Sequence, residues 1–313
     1  MPLPFLKPNP LAPGGTIGIF SPSGALSSER LSAGVATLEA QGYRVNVAPA
    51  ATNEWRYFAG TDEERLASFH AMVADPTIDA MMMSRGGYGL SRLLHRIDWQ
   101  AVAVSRKVFC GFSDFTAFNC AALAQARYIT YSGPGAATDF EWNHETPESA
   151  ADHAFMVAHC WPALEDRRVN AGPYNCDHAY APQTISGPIF GSNLSLFSHL
   201  VGTPYMPNIE GGILFFEEIA EEPYAIERML LQLFHAGILQ KQKALIFADF
   251  SDCEPSSGRY LYTMEHVVET MRSLLPYPVL TGLPFGHVAK KLTIPLGGEA
   301  ALSVGVGEFL ISY

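Results

Sequence analysis

The 313-residue chain is 48% hydrophobic and 16% charged, a composition that can fill a core and that excludes disordered and fibrous classes. With 20 Lys and Arg against 31 Asp and Glu, the formal charge is -11, which argues against a nucleic-acid partner because a phosphate backbone is held by basic surface. The longest basic cluster is Lys290-Lys291, and no Cys/His finger spacing accompanies it.

Taken in order, the first residues, MPLPFLKPNPLAPGG, lack the charged and apolar regions of a secretory signal. Thr16–Phe20 reads as a short buried strand between Pro13-Gly14-Gly15 and Ser21-Pro22-Ser23-Gly24. Leu31, Val35 and Leu38 recur at helical spacing, Gly42 ends that helix, and Tyr43–Val47 is strand-like. Asp62–Met72 predicts a helix, Ile78–Ser84 a strand, and Gly89–Leu94 the start of the next helix. Val108–Gly111 is a strand candidate running through Phe112-Ser113-Asp114 into a helix that ends near Arg127, and Ile129–Ser132 is another strand. This alternation predicts an α/β layer whose parallel strands are joined by crossover helices.

From Thr138 to about Asn175 the periodicity is irregular and the charges are mixed, so a linker and domain boundary are placed there. The expected division is an N-terminal domain over 1–137, a linker over 138–180 and a C-terminal domain over 181–313. In the last part, Thr184–Phe190 predicts a strand ending at Gly191-Ser192-Asn193, then a helix over Leu194–Leu200. Ile213–Phe216 predicts a strand that stops at two acids, Glu222-Pro223 a helix start, and Lys243–Phe247 a strand. Leu302–Val306 alternates apolar and small residues and suits an antiparallel strand, so mixed β pairing is expected. No segment reaches the roughly 20 uninterrupted apolar residues of a membrane span. The five cysteines are scattered with no CxxC pair, which suits a reducing, cytoplasmic compartment.

Several residues carry candidate chemistry. Gly14-Gly15-Thr16-Ile17-Gly18 precedes a strand rather than joining strand to helix, and neither a GxGxxG nor a GxxxxGK[ST] loop occurs. Arg85-Gly86-Gly87-Tyr88-Gly89 follows a predicted strand, where α/β proteins place ligands. Glycines there admit an anion close to backbone amides, and Arg85 has the fork to bind a carboxylate; a plain structural turn is the alternative. Ser113 lies between strand and helix, where a nucleophile is exposed with the next amide facing a developing oxyanion. It equally suits a helix cap, because Gly111-Phe112-Ser113-Asp114-Phe115 lacks the second glycine of GxSxG. A hydroxyl nucleophile needs a base and an acid to orient that base. His287, in the loop-like Pro284-Phe285-Gly286-His287, and Glu217 are candidates; Glu217-Glu218 alternatively marks a strand's exit into solvent. No HExxH or compact cluster points to a metal, and Asp249, Asp252 and Cys253 read as loop residues. No cofactor is expected.

In combination and order, Thr16–Gly24, Tyr57-Phe58-Ala59-Gly60-Thr61-Asp62, Arg85–Gly89, Gly111–Thr116, Asn193-Leu194, Leu214–Glu218 and Gly286-His287 resemble the serine-dependent LD-carboxypeptidase family. The resemblance implies a two-domain fold, an N-terminal α/β domain with a parallel sheet and a C-terminal mixed β/α domain, with the site between them. It implies Ser113 as nucleophile, His287 as general base and then acid, Glu217 as the acid orienting His287, and the amides of Gly86 and Asp114 as oxyanion donors. It also implies release of terminal D-alanine from a muropeptide, a role in peptidoglycan recycling, and a homodimer. Arg85 is a candidate partner for the substrate carboxylate. A related peptidase giving self-immunity to a peptide-nucleotide antibiotic, and a non-catalytic muropeptide-binding protein, are the alternatives.

Overall fold

The computed structural model describes residues 4–141, 146–255 and 261–313. The first sheet opens with β1 (Thr16–Phe20), β2 (Arg44–Val47), β3 (Ala80–Met83), β4 (Val108–Cys110) and β5 (Thr130–Ser132), all parallel. Strands β1, β3, β4 and β5 are buried at every position, as a sheet covered on both faces demands, and so read as short apolar runs without alternation. Helices α1 (Ser28–Ala40), α2 (Asp62–Ala74), α3 (Trp99–Ser105) and α4 (Thr116–Ala121) cross between them. Helix α2 starts at a reciprocal capping box between Thr61 and Glu64, which satisfies two otherwise unpaired amides.

The region expected to be a linker contains an 18-residue helix, α5 (Pro147–Leu164), and the first half of β6 (Asn170–Asn193). Helix α5 begins with Pro147 behind a Thr146 cap, where a missing N–H costs nothing, and it buries Met156, Cys160, Trp161 and Leu164. After α6 (Leu194–His199) come β7 (Ile213–Ile219), α7 (Pro223–His235), β8 (Ala244–Ser251), α8 (Met264–Leu274) and β9 (Val279–Thr281). Strands β6 to β9 form a parallel sheet, and β11 (Glu299–Ser312) closes it antiparallel to β6. The expected C-terminal antiparallel strand is therefore present and longer than its Leu302–Val306 core. One late strand, β10 (Ile294–Leu296), leaves this sheet and pairs antiparallel with β5 at the edge of the first.

Two expectations change. Gly89–Leu94 does not begin a helix: two 3₁₀ turns, Leu90–Arg92 and Leu94–Arg96, occupy the stretch, and a regular helix starts only when Asp98 caps Ala101. Strand β7 does not stop at its two acids but runs through them to Ile219, and both are buried. Lys291, of the Lys290-Lys291 pair, is buried at 1% exposure. Among the described residues no helix is long and apolar enough to cross a membrane.

Candidate active site

The site lies where the carboxyl ends of both parallel sheets face each other, the place at which open α/β sheets leave a crevice. Ser113 follows β4 directly and holds a left-handed backbone, φ +59°, which an L-residue adopts only at a cost of roughly 1–2 kcal/mol. That bend lifts the side chain out of the sheet at the head of the Ser113–Phe115 turn and helix α4. Its Oγ lies 3.0 Å from His287 Nε2, and His287 Nδ1 lies 2.8 Å from Glu217 Oε2. Because a carboxylate only accepts, Nδ1 carries the ring proton and Nε2 is left to accept from the serine hydroxyl. Phe112 packs against the imidazole at a 58° tilt, with ring centroids 5.1 Å apart.

Glu217 is fully buried near the end of β7, level with Asn193 of β6. The Asn193 amide donates to Glu217 Oε1 at 3.1 Å and to Glu218 Oε1 at 2.9 Å, so one side chain satisfies both neighbouring acids. The register with β8 slips between Phe216 and Glu218, a bulge of the kind that re-aims side chains next to functional sites. Glu218 also accepts from the amides of Ser195 at 2.7 Å and Ile219 at 3.0 Å. Burial, with the Glu217 charge added, raises its carboxyl above the usual range, and these donors offset part of that rise.

On the opposite wall, Gly86 sits against the serine: a methyl there would stand 2.9 Å from Ser113 Cβ and Oγ and 3.5 Å from the Asp114 backbone nitrogen. Only glycine permits that approach without displacing the elbow. The Asp114 carboxyl points away from the cleft, fully buried, and burial raises it above the usual carboxylate range. Arg85 is half-buried and donates from Nη1 to the Ala25 carbonyl at 3.0 Å, which ties it to the turn after β1.

Polar links also join the halves: Asn193 N donates to Thr116 Oγ1 at 3.1 Å, and the hydroxyls of Ser132 and Ser192 are 2.6 Å apart. Lys291, four residues beyond His287, forms a buried ion pair with Asp139 at 2.5 Å and lies 3.9 Å above the Phe112 ring. Sequence reasoning assigned Asn193, Asp139 and Lys291 no role. Asn193 alone carried a signal, standing in a segment shared with the family. A separate cleft of about 800 Å³, lined by Phe5, Tyr131 and Ile209 among others, contains none of these residues.

Residues 17–133 match the model of the LD-carboxypeptidase N-terminal domain, and residues 186–302 match that of the C-terminal domain. The chain belongs to the LD-carboxypeptidase family. It is 30% identical over 297 residues to a probable murein peptide carboxypeptidase of Bacillus subtilis, covering 95% of this chain and 91% of that one. The crystal structure of muramoyltetrapeptide carboxypeptidase from Oxalobacter formigenes superposes with a TM-score of 0.87 at 36% identity, over 95% of this chain and 98% of the other. The microcin C7 self-immunity protein of Escherichia coli is 27% identical, over 94% of this chain and 92% of its own. The two-domain α/β fold and a serine-type carboxypeptidase activity follow from family membership.

Proposed function

We propose that the protein releases the terminal D-alanine of a muropeptide tetrapeptide, with Ser113 as nucleophile, His287 as base and acid, and Glu217 as the group that orients His287. The observation that carries the reading is the continuous hydrogen-bonded line from Ser113 through His287 to Glu217. His287 Nε2 takes the Ser113 proton as Oγ attacks the carbonyl preceding D-alanine. The tetrahedral oxyanion is met by the amides of Gly86 and Asp114, where a well-placed donor is worth about 2.7–4 kcal/mol. The imidazolium gives its proton to the departing amine, D-alanine leaves, and a water activated by the same nitrogen hydrolyses the ester to the shortened peptide.

The family's name for the bond it cuts and the murein-peptide names of two relatives support the substrate. Arg85 is the proposed partner of the substrate carboxylate. The domain division at 138–180, a cytoplasmic place in peptidoglycan recycling and a homodimer belong to the same reading. All five cysteines are buried and unpaired, which suits a reducing compartment. Incubation with a disaccharide tetrapeptide, alongside Ser113→Ala, tests the assignment by mass spectrometry: loss of one alanine with the unaltered protein only is expected, and an equally active Ser113→Ala protein refutes it. The likeness to the self-immunity protein makes a peptide-nucleotide antibiotic the second substrate to try.

A further inference from the structure

The loop carrying Gly86 is gripped by two buried charged side chains that the reaction does not use. Arg65, on α2 with no exposed side-chain surface, donates from Nη1 to the carbonyls of Pro22 and Gly89, the latter at 3.2 Å, and from Nη2 to Asp62 at 2.5 Å. Asp114 accepts from Ser23 Oγ at 2.5 Å and from the Leu90 amide at 2.9 Å. Arg65 thus holds residues 22 and 89 by their carbonyls, while Asp114 holds the next residue of each loop by a donor. Gly24 N also donates to Gly86 O at 3.3 Å. Gly89 has φ +141°, and a methyl there would meet Arg65 Nη1 at 2.8 Å, so the loop passes this close only because that residue is glycine.

We propose that Arg65 and the side chain of Asp114 are positioning residues for the oxyanion hole, stapling the turn after β1 to the 85–90 loop so that the Gly86 amide stays opposite the Asp114 amide. This rests on the reading that those two amides receive the oxyanion. Both donors to Asp114 converge on Oδ2, whereas Oδ1 is buried with no hydrogen-bond partner among the described residues. What position 114 supplies is therefore one acceptor oxygen, which an amide retains and alanine lacks.

The test measures kcat and KM for D-alanine release from the tetrapeptide and, independently of substrate, the rate at which a fluorophosphonate labels Ser113, since its phosphoryl oxygen enters the same hole. Asp114→Ala and Arg65→Met are expected to lower kcat and labelling together on the order of 10²-fold, with KM within about threefold. Asp114→Asn should recover most of the loss. Ser23→Ala and Arg65→Lys each remove part of the clamp and should lose about tenfold in both rates at an unchanged melting temperature. Wild-type rates in these two milder variants overturn the proposal, and they decide it if the harsher variants fail to fold. Losses that track melting temperature and weaken kcat and KM alike also overturn it. An unaltered protein that is labelled but releases no D-alanine refutes the substrate while the clamp is still judged by labelling; one that is not labelled refutes the oxyanion reading and the clamp with it.

Discussion

The two sheets bring different materials to one crevice. The N-terminal sheet offers backbone: a serine bent to φ +59° and a glycine packed against it. The C-terminal sheet offers side chains whose value lies in burial and partners: Glu217 has no exposed surface and is held by Asn193, and His287 is held by Glu217. A half built from backbone is damaged by added volume, whereas a half built from buried polar groups is damaged by changing one donor into an acceptor or the reverse.

The largest effect expected is for Ser113→Gly, which should lower kcat by about 10⁶-fold. Glycine has no penalty at positive φ, so denaturant unfolding should find this variant more stable than Ser113→Ala by up to about 1 kcal/mol; equal stabilities would show that the elbow is not strained. On the other side, Glu217→Gln keeps the volume but turns an NH₂ toward either the Asn193 amide or His287 Nδ1. A drop of about 10⁴ in kcat is expected from the wrong imidazole tautomer, and a loss below tenfold would deny Glu217 its orienting role. Gly86→Ala adds one methyl against Ser113 and should cost about 10²–10³ in kcat, with the Ser113 side chain displaced in a crystal structure of the variant.

The smallest effect is set away from the crevice. Asp177 accepts from Arg272 at 2.6 and 3.1 Å and from Thr281 at 2.7 Å, and the Arg272 hydrogen bond, helped by that of Thr281, lowers its pKa from 3.8 to about 2. A carboxylate depressed on folding stabilises above its unfolded pKa and loses that contribution as pH falls through the folded one. Asp177→Asn should cost less than about 1 kcal/mol at neutral pH, because the pair is solvated. The difference from the unaltered protein should close between pH 4 and about 2, with turnover at neutral pH unchanged.

The same contrast explains what the sequence made legible. Strands β1, β3, β4 and β7 announce themselves as apolar runs because both their faces are covered; Gly86 and Ser113 stand just beyond strand ends beside glycines, Glu217 follows the apolar run of β7, and His287 follows Gly286 in a loop. The first half of β6 was hidden because Gly172-Pro173 and Pro182 interrupt a largely exposed stretch. Helix α5 was hidden by Pro147 and Pro162 and by a narrow buried face near its end. Arg65 gave no signal, for an arginine on an amphipathic helix reads as a solvated face until the turn it grips is in view. Lys291 gave no signal for a similar reason: its partner Asp139 lies 152 positions away in the chain, and pairing of that kind is written only in three dimensions.

Strand β10 has a consequence for synthesis. A ribosome delivers β1 to β5 early, yet the neighbour that covers β5 emerges only after the whole second sheet except β11. Until then the nascent first half exposes an unpaired strand edge, the kind that recruits foreign strands. The order of delivery also withholds His287, so a half-made chain presents its bent serine without the imidazole that bonds it. The hydrogen-bonded line from Ser113 through His287 to Glu217 therefore assembles only when the chain is nearly complete.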